Sequence, residues 1–245
     1  MKKERKTTAH RGVSSLAPEN TMAAFKLVKE HGSQWIEIDV QLSADGVPMV
    51  IHDRTVNRCT NGRGSVREMS VSQLKMLDAG GWFDDRYVDE RIPTLEETLL
   101  YVKEAGLHLN IELKVYPEDN VIALCDKVKE VVEKSEIPLP QVLFSSFDNG
   151  ALYQLMLTLP LIRRGQLWQQ IPDEALSLLR KIQAYSVHCD YRFLLKQEAE
   201  LIKEAGYQLY CYTPNFPELV EKHWLWGVDM MITDDPKAYA LTLET

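Results

Sequence analysis

The sequence predicts an α/β protein, a (β/α)8 TIM barrel carrying one insertion, and three observations support that prediction. Short β-type runs alternate with helix-type segments almost from end to end, and eight strand-helix units are present. The 245 residues also fall within the size range of that barrel. An open doubly wound sheet is the alternative that shares the alternation.

The first strand is read at Thr7–Arg11. P-E-N-T-M-A-A-F-K-L-V-K-E-H-G follows, with Met22, Phe25 and Val28 at helical spacing, His31 in the last turn and Gly32 as a stop. The second strand, Trp35–Gln41, leads into V-Q-L-S-A-D-G-V-P-M-V-I-H-D, where only S-A-D-G separates two apolar runs. Parallel neighbours need a crossover of about a dozen residues or more, so this connection is expected to be a hairpin with Asp45-Gly46 in its turn. A turn centred near Asp45 sets Ile51 opposite Asp39 and returns His52 to the level where the second strand emerges. The chain from about 43 to 91, rich in Gly, Asn, Arg and Asp beyond Asp53, reads as an insertion at the end of the barrel where sites are built.

The remaining strands are expected at Leu109–Lys114, Val142–Ser146, Leu161–Trp168, Tyr185–Cys189, Tyr207–Tyr212 and Asp229–Thr233. Helices are expected at Thr94–Ala105, Asn120–Lys134, Asn149–Leu157, Asp173–Ile182, Leu195–Ala205, Phe216–Trp224 and Pro236–Leu243. No linker or low-complexity tract interrupts them, so residues 1–245 are read as one domain.

Composition narrows the function. The chain is 45% hydrophobic and 26% charged, as soluble globular proteins are. A net charge of −8 disfavours nucleic acid and anionic membranes as partners, so an anionic ligand needs local positive charge. No apolar run reaches the length of a membrane span. M-K-K-E-R-K is followed by polar T-T-A-H-R-G where a signal peptide would be apolar, and Cys59, Cys125, Cys189 and Cys211 form no C-x-x-C pair. Both features point to a cytoplasmic protein.

Glu37 and Asp39 in W-I-E-I-D-V stand two apart on a strand and so share a face, as do Glu112 and Lys114 in N-I-E-L-K. Three carboxylates meeting in one region repel unless offset, and three hard oxygen donors suit Mg²⁺ or Ca²⁺. His10 and His52 reach the same rim and can divide the roles of general base and general acid. Arg11 offers fixed donors for phosphate oxygens and Lys114 a point charge. Phosphodiester cleavage is the reaction class that uses every member of this set. His31, His108 and His223 read as structural, and His188 carries no signature that decides its role.

H-R-G, A-P-E-N-T, E-I-D-V, D-G-V-P-M-V-I-H-D, N-G-R-G, I-P-T-L-E-E and I-E-L-K, in this order and spacing, resemble the glycerophosphodiester phosphodiesterase family, and F-S-S-F-D and G-V-D-M-M-I-T-D-D-P extend the resemblance over nearly the whole chain. The form is most similar to the short cytoplasmic bacterial members. The resemblance implies a distorted barrel of the phospholipase-C-like phosphodiesterase type. The implied reaction is metal-dependent hydrolysis of deacylated phospholipids, such as glycerophosphocholine or glycerophosphoethanolamine, to sn-glycerol 3-phosphate and an alcohol. It further implies His10 and His52 as the catalytic pair, Glu37, Asp39 and Glu112 as metal ligands, and Arg11 and Lys114 as phosphate contacts. The family commonly has Trp in the penultimate strand motif, where this chain reads Y-C-Y-T-P-N, with Tyr212 at that place. Tyr212 and Phe147 are the candidate substrate-contacting aromatics, with Trp168 and Trp82 behind them. A monomer or homodimer acting on a small molecule is expected. The alternatives are a phospholipase-D-like lyase forming a cyclic phosphate, and a non-catalytic barrel that binds glycerophosphodiesters.

Overall fold

The computed structural model describes residues 6–241. In chain order the elements are β1 (Lys6–His10), α1 (Met22–Lys26), β2 (Trp35–Leu42), β3 (Pro48–Val50), α2 (Val71–Met76), α3 (Leu95–Ala105), β4 (His108–Leu113), α4 (Val121–Ser135) and β5 (Val142–Ser146). They continue as α5 (Asn149–Thr158), β6 (Arg163–Trp168), α6 (Ala175–Lys181), β7 (Ser186–Asp190), α7 (Lys196–Glu204), β8 (Gln208–Tyr212), α8 (Glu221–Leu225), β9 (Met230–Thr233) and α9 (Pro236–Leu241). Strand order runs β1-β9-β8-β7-β6-β5-β4-β2, and pairing of β1 with β2 closes the parallel barrel. The sequence-predicted (β/α)8 barrel is the observed fold, and the open-sheet alternative is set aside by that closing pair.

The core follows from period-two alternation along each strand. On β2, Ile36, Ile38 and Val40 join Phe25, Leu99, Val102 and Val128 in the layer between barrel and helices. Glu37, Asp39 and Gln41 alternate with them and are buried on the opposite face, inside the barrel. Leu143, Tyr210, Met230 and Ile232 fill the barrel interior together with Trp35, Tyr185 and Tyr212. A second outer layer packs Leu179, Val187, Leu209, Met231 and Tyr239 on the far side.

The hairpin has the expected register. Val40 stands opposite Val50, and the Ile51 N–H donates to the Asp39 carbonyl at 2.9 Å. β4 occupies one edge of β2, so the other edge carries β1 at Trp35–Glu37 and then β3 at Val40–Leu42. This handover extends β2 beyond its barrel neighbours and leaves Glu37 and Asp39 near mid-strand. Beyond β3 the chain builds its own small core from Met49, Ile51, Val56, Val66, Leu74 and Ile92.

Several boundaries differ from expectation. The first helix is only α1, and Leu27–Gly32 follows as turns in which the His31 N–H donates to the Leu27 carbonyl and the Ser33 N–H to the Val28 carbonyl. Phe25 and Val28 are still buried together, so their spacing reported burial and not unbroken helical bonding. The expected helix at 216–224 is split into a 3-10 turn over Pro217–Val220 and then α8. β1 ends one residue early because Arg11 enters the left-handed region at φ 57°. β6 begins at Arg163, leaving Leu161 81% exposed before it. The expected end of the last helix, at Leu243, lies outside the described residues.

Gly12 of H-R-G has φ 84°, and a Cβ there would sit 2.6 Å from Ala24 Cβ and 2.8 Å from the Ala24 carbonyl carbon. A side chain would be strained by conformation and by clash together. Gly12→Ala is expected to cost at least about 2 kcal/mol and lower Tm by roughly 5 °C in a thermal melt. An unchanged melt would mean that the β1-to-α1 loop relaxes freely.

Candidate active site

At the C-terminal mouth of the barrel a cavity of about 190 Å³ is lined by His10, Arg11, Glu37, His52, Glu112 and Lys114, with Asn110 and Ser145 below. Phe147, Leu167, Tyr212 and Ile232 form its apolar wall. Each sequence-predicted site residue is at or beside this cavity. Asp39 is buried beneath it, tied to Arg11 and Lys114.

Both histidines are held through Nδ1. His10 Nδ1 donates to Asp234 Oδ1 at 2.6 Å, and His52 Nδ1 donates to Asp53 Oδ1 at 2.7 Å. A carboxylate can only accept, so each bond places the proton on Nδ1 and leaves Nε2 to exchange with whatever occupies the cavity. Asp234 is braced by Ser14 Oγ at 2.9 Å and Asn215 Nδ2 at 2.7 Å. Burial alone would raise the Asp234 carboxyl, but these bonds, that of His10 foremost, hold its pKa at about 2. Burial is the largest influence on His52 and lowers its pKa below the ordinary imidazole value, against the pull of Asp39 and Asp53. His52 is therefore mostly neutral at pH 7.

Glu37, Asp39 and Glu112 bring carboxylate oxygens within 4.8 Å of one another, all buried. Burial, then repulsion from Asp39 and Glu112, pushes Glu37 well above the usual carboxylate range. Burial likewise raises Glu112, although Lys114 donates to it at 2.7 Å. Asp39 is lowered, because Arg11 and Lys114 outweigh its burial and Asn20 Nδ2 donates to it at 2.9 Å. Glu37 Oε1 is a buried acceptor with no hydrogen-bond partner. Three clustered hard oxygen donors, one of them orphaned, fit a divalent cation, whose charge would reverse the repulsion that now favours protonation.

The cations also converge. The Arg11 backbone N–H donates to Glu37 Oε2 at 3.1 Å and its NH1 to Glu19 Oε1 at 2.8 Å. Arg11 Nε lies 3.2 Å from Asp39 Oδ2, near enough to attract it but not aligned as a hydrogen bond. Lys114 Nζ lies 3.6 Å from Asp39 Oδ1. Burial would lower the Lys114 pKa, yet Glu112 and Asp39 raise it, so the ammonium stays charged.

Phe147 and Tyr212 meet edge to face at 6.2 Å on the cavity wall. Trp168 does not line the cavity. It packs into the second outer layer while its carbonyl accepts from the Tyr212 hydroxyl at 2.9 Å. Trp82 turns into its own loop, donating from Nε1 to the Ala79 carbonyl. His188 is fully buried, pairs through Nε2 with Ser186 Oγ and has its pKa pushed down to about 3 by burial, which makes it a neutral core residue. His108 stacks on Trp35, and His223 Nε2 bonds the Tyr191 carbonyl.

Sequence reasoning missed Asp53, Asp234, Glu19, Asn20 and Arg58. A signal existed for Asp234. Closure sets Ala9 beside Thr233, so the residue after β9 stands next to His10, and T-D-D supplies a carboxylate there.

The chain is similar to known proteins along nearly its whole length. The Glycerophosphoryl diester phosphodiesterase family profile matches residues 10–238. A glycerophosphodiester phosphodiesterase of Caldanaerobacter subterraneus subsp. tengcongensis is 36% identical over 94% of this chain and 93% of its own. One from Bacillus subtilis is 32% identical over 95% of this chain and 84% of its own. Among solved structures, an Oleispira antarctica phosphodiesterase in complex with the product sn-glycerol-3-phosphate superposes with a TM-score of 0.93 at 34% identity, covering 98% of this chain and 97% of that one.

Proposed function

The chain belongs to the glycerophosphoryl diester phosphodiesterase family, and from that premise we propose that it hydrolyses glycerophosphodiesters to sn-glycerol 3-phosphate and an alcohol, with His10 and His52 exchanging the protons. The observation that carries this reading is the convergence of two carboxylate-held imidazoles, two cations and three clustered carboxylates on one cavity. The product held by the Oleispira antarctica relative supports the substrate class.

Glu37, Asp39 and Glu112 would hold the metal, Mg²⁺ or Ca²⁺, which when bound supplies positive charge to the phosphate oxygens. Arg11 and Lys114 supply further charge, in a net-negative protein that otherwise repels a phosphodiester. One imidazole Nε2 accepts the proton of the attacking hydroxyl, whether of water or of the substrate's own glycerol, and the other donates a proton to the oxygen of the departing alcohol as its bond to phosphorus breaks. Attack by water gives glycerol 3-phosphate directly; attack by the glycerol hydroxyl gives a cyclic phosphate, which water then opens with the two imidazoles exchanging roles, the ring oxygen taking the proton as its bond to phosphorus breaks. Asp234 and Asp53 stabilise whichever imidazolium forms and keep each ring turned to the cavity. Phe147 and Tyr212 give the alcohol an apolar wall.

No helix of the described residues is long and apolar enough to cross a membrane. The four unpaired cysteines support a reducing, cytoplasmic setting as part of this proposal.

The test is release of glycerol 3-phosphate from glycerophosphocholine and glycerophosphoethanolamine, in EDTA and after restoring Mg²⁺ or Ca²⁺. Metal-dependent release is expected. A stable cyclic phosphate as end product would replace hydrolysis with a lyase reaction, and no turnover by folded, metal-loaded protein would leave a binding barrel.

A further inference from the structure

We propose that Arg58 and Glu19, neither of which lines the catalytic cavity, act as a two-residue clamp that sets the positions of both His52 and Arg11; this inference rests on the function proposed above. Arg58 lies in the segment after β3 and Glu19 in the loop between β1 and α1. The Arg58 guanidinium reaches two carboxylates at once. Nε and NH2 donate to Asp53 at 2.7 and 2.9 Å, and NH1 and NH2 donate to Glu19 at 2.7 and 2.8 Å. Asp53 in turn holds His52 Nδ1, and Glu19 holds Arg11 NH1. The result is one unbroken chain of polar contacts that starts at the His52 ring and alternates in charge from Asp53 to Arg58 to Glu19 to Arg11, ending at Asp39.

The physical case is geometric. An exposed ion pair contributes little on its own, but a planar guanidinium bonded in bidentate fashion to two carboxylates fixes both in direction as well as distance. The Glu19 side chain is only 13% exposed, so its charge is retained because Arg58 and Arg11 are both present. Against burial, which would raise it, the two guanidinium groups hold the Glu19 carboxyl below its usual range. A Lys at position 58 could neutralise charge but could not fork to both partners. The A-P-E-N segment thereby acquires a role: Glu19 ties Arg11 to the chain after β3, and Asn20 anchors Asp39. The segment after β3, which contributes His52 to the cavity, is then also tied to Arg11 through Arg58 and Glu19.

Arg58→Ala is expected to lower kcat about 10- to 100-fold, the scale of a misplaced reacting group, with KM changed much less. Direct calorimetric titration of metal binding should remain at the parent affinity, because Arg58 touches none of the three clustered carboxylates. Added guanidinium should restore part of the Arg58→Ala rate and do nothing for Arg86→Ala, which removes a surface pair with Asp84. Arg58→Lys should recover little. Glu19→Gln should lower kcat similarly, and the double variant should be no worse than the poorer single, as for two members of one unit. A readout independent of turnover separates this idea from the proposed activity. Carbethoxylation of His52 by diethyl pyrocarbonate, mapped by mass spectrometry, should accelerate severalfold in Arg58→Ala while that of His10 does not. Parent kcat together with parent His52 reactivity in Arg58→Ala would overturn the clamp. So would full rescue by lysine, or additive losses in the double variant. Failure of the parent protein to hydrolyse any glycerophosphodiester would overturn the proposed function instead, with the His52 reactivity still deciding the clamp.

Discussion

His10→Ala is expected to lower kcat by about 10³-fold or more, with the metal affinity of the parent, because it removes one of the two proposed proton-transfer groups and none of the three clustered carboxylates. The neighbouring contacts make the variant informative. Asp234 would keep its bonds from Ser14 and Asn215, so the cavity wall stays in place and the loss reports chemistry and not collapse. Asp234→Asn should reproduce much of the loss while leaving the imidazole present, since an amide can donate to Nδ1 and favour the wrong tautomer. His52→Ala should be as severe as His10→Ala. Steady-state kinetics on glycerophosphocholine, beside calorimetric metal titration, tests both histidines. Hydrolysis by His10→Ala at the parent rate would remove that residue from proton transfer.

The second large effect concerns Glu37→Gln, which should abolish measurable activity and yet stabilise the metal-free protein. Burial and the neighbouring carboxylates raise the pKa values of Glu37 and Glu112 in the folded state. A folded state that holds protons more tightly than the unfolded one is most stable below the ordinary carboxylate pKa and loses stability as pH rises through the raised values. The metal-free parent should therefore melt at progressively lower temperature as pH rises above the ordinary glutamate pKa of about 4.3 and through the raised values. Saturating Mg²⁺ or Ca²⁺ should flatten that slope by neutralising the cluster and by binding only the folded form. Glu37→Gln should remove most of the slope without metal and gain little when metal is added. A parent protein whose Tm ignores both pH and metal would contradict the assignment of this cluster as a cation site.

Much of the barrel was legible because its strands advertise themselves twice. Ile36, Ile38 and Val40 mark the face toward the helices, and the carboxylates between them mark the face toward the cavity. The hairpin was legible from S-A-D-G alone, and with it the return of His52. Contacts that close through distant chain were not. Asp234 meets His10 across 224 positions, and Arg58 meets Glu19 across 39, distances at which no local period carries information. The short α1 escaped for another reason: Phe25 and Val28 keep the spacing of a helix while the backbone between Leu27 and Gly32 goes through turns. Aromatic side chains were the least legible, since Trp82, Trp168, Phe147 and Tyr212 look alike in sequence, and only the last two line the cavity.

Placing β1 between β9 and β2 has a consequence for how an active molecule comes into being. In chain order His10 is made more than two hundred residues before the carboxylate that holds its Nδ1, which arrives with the strand that closes the barrel. A chain ending before Asp234 would carry both imidazoles and the carboxylate cluster without the group that orients the His10 ring. The proposed proton-transfer pair is therefore complete only once the barrel has closed.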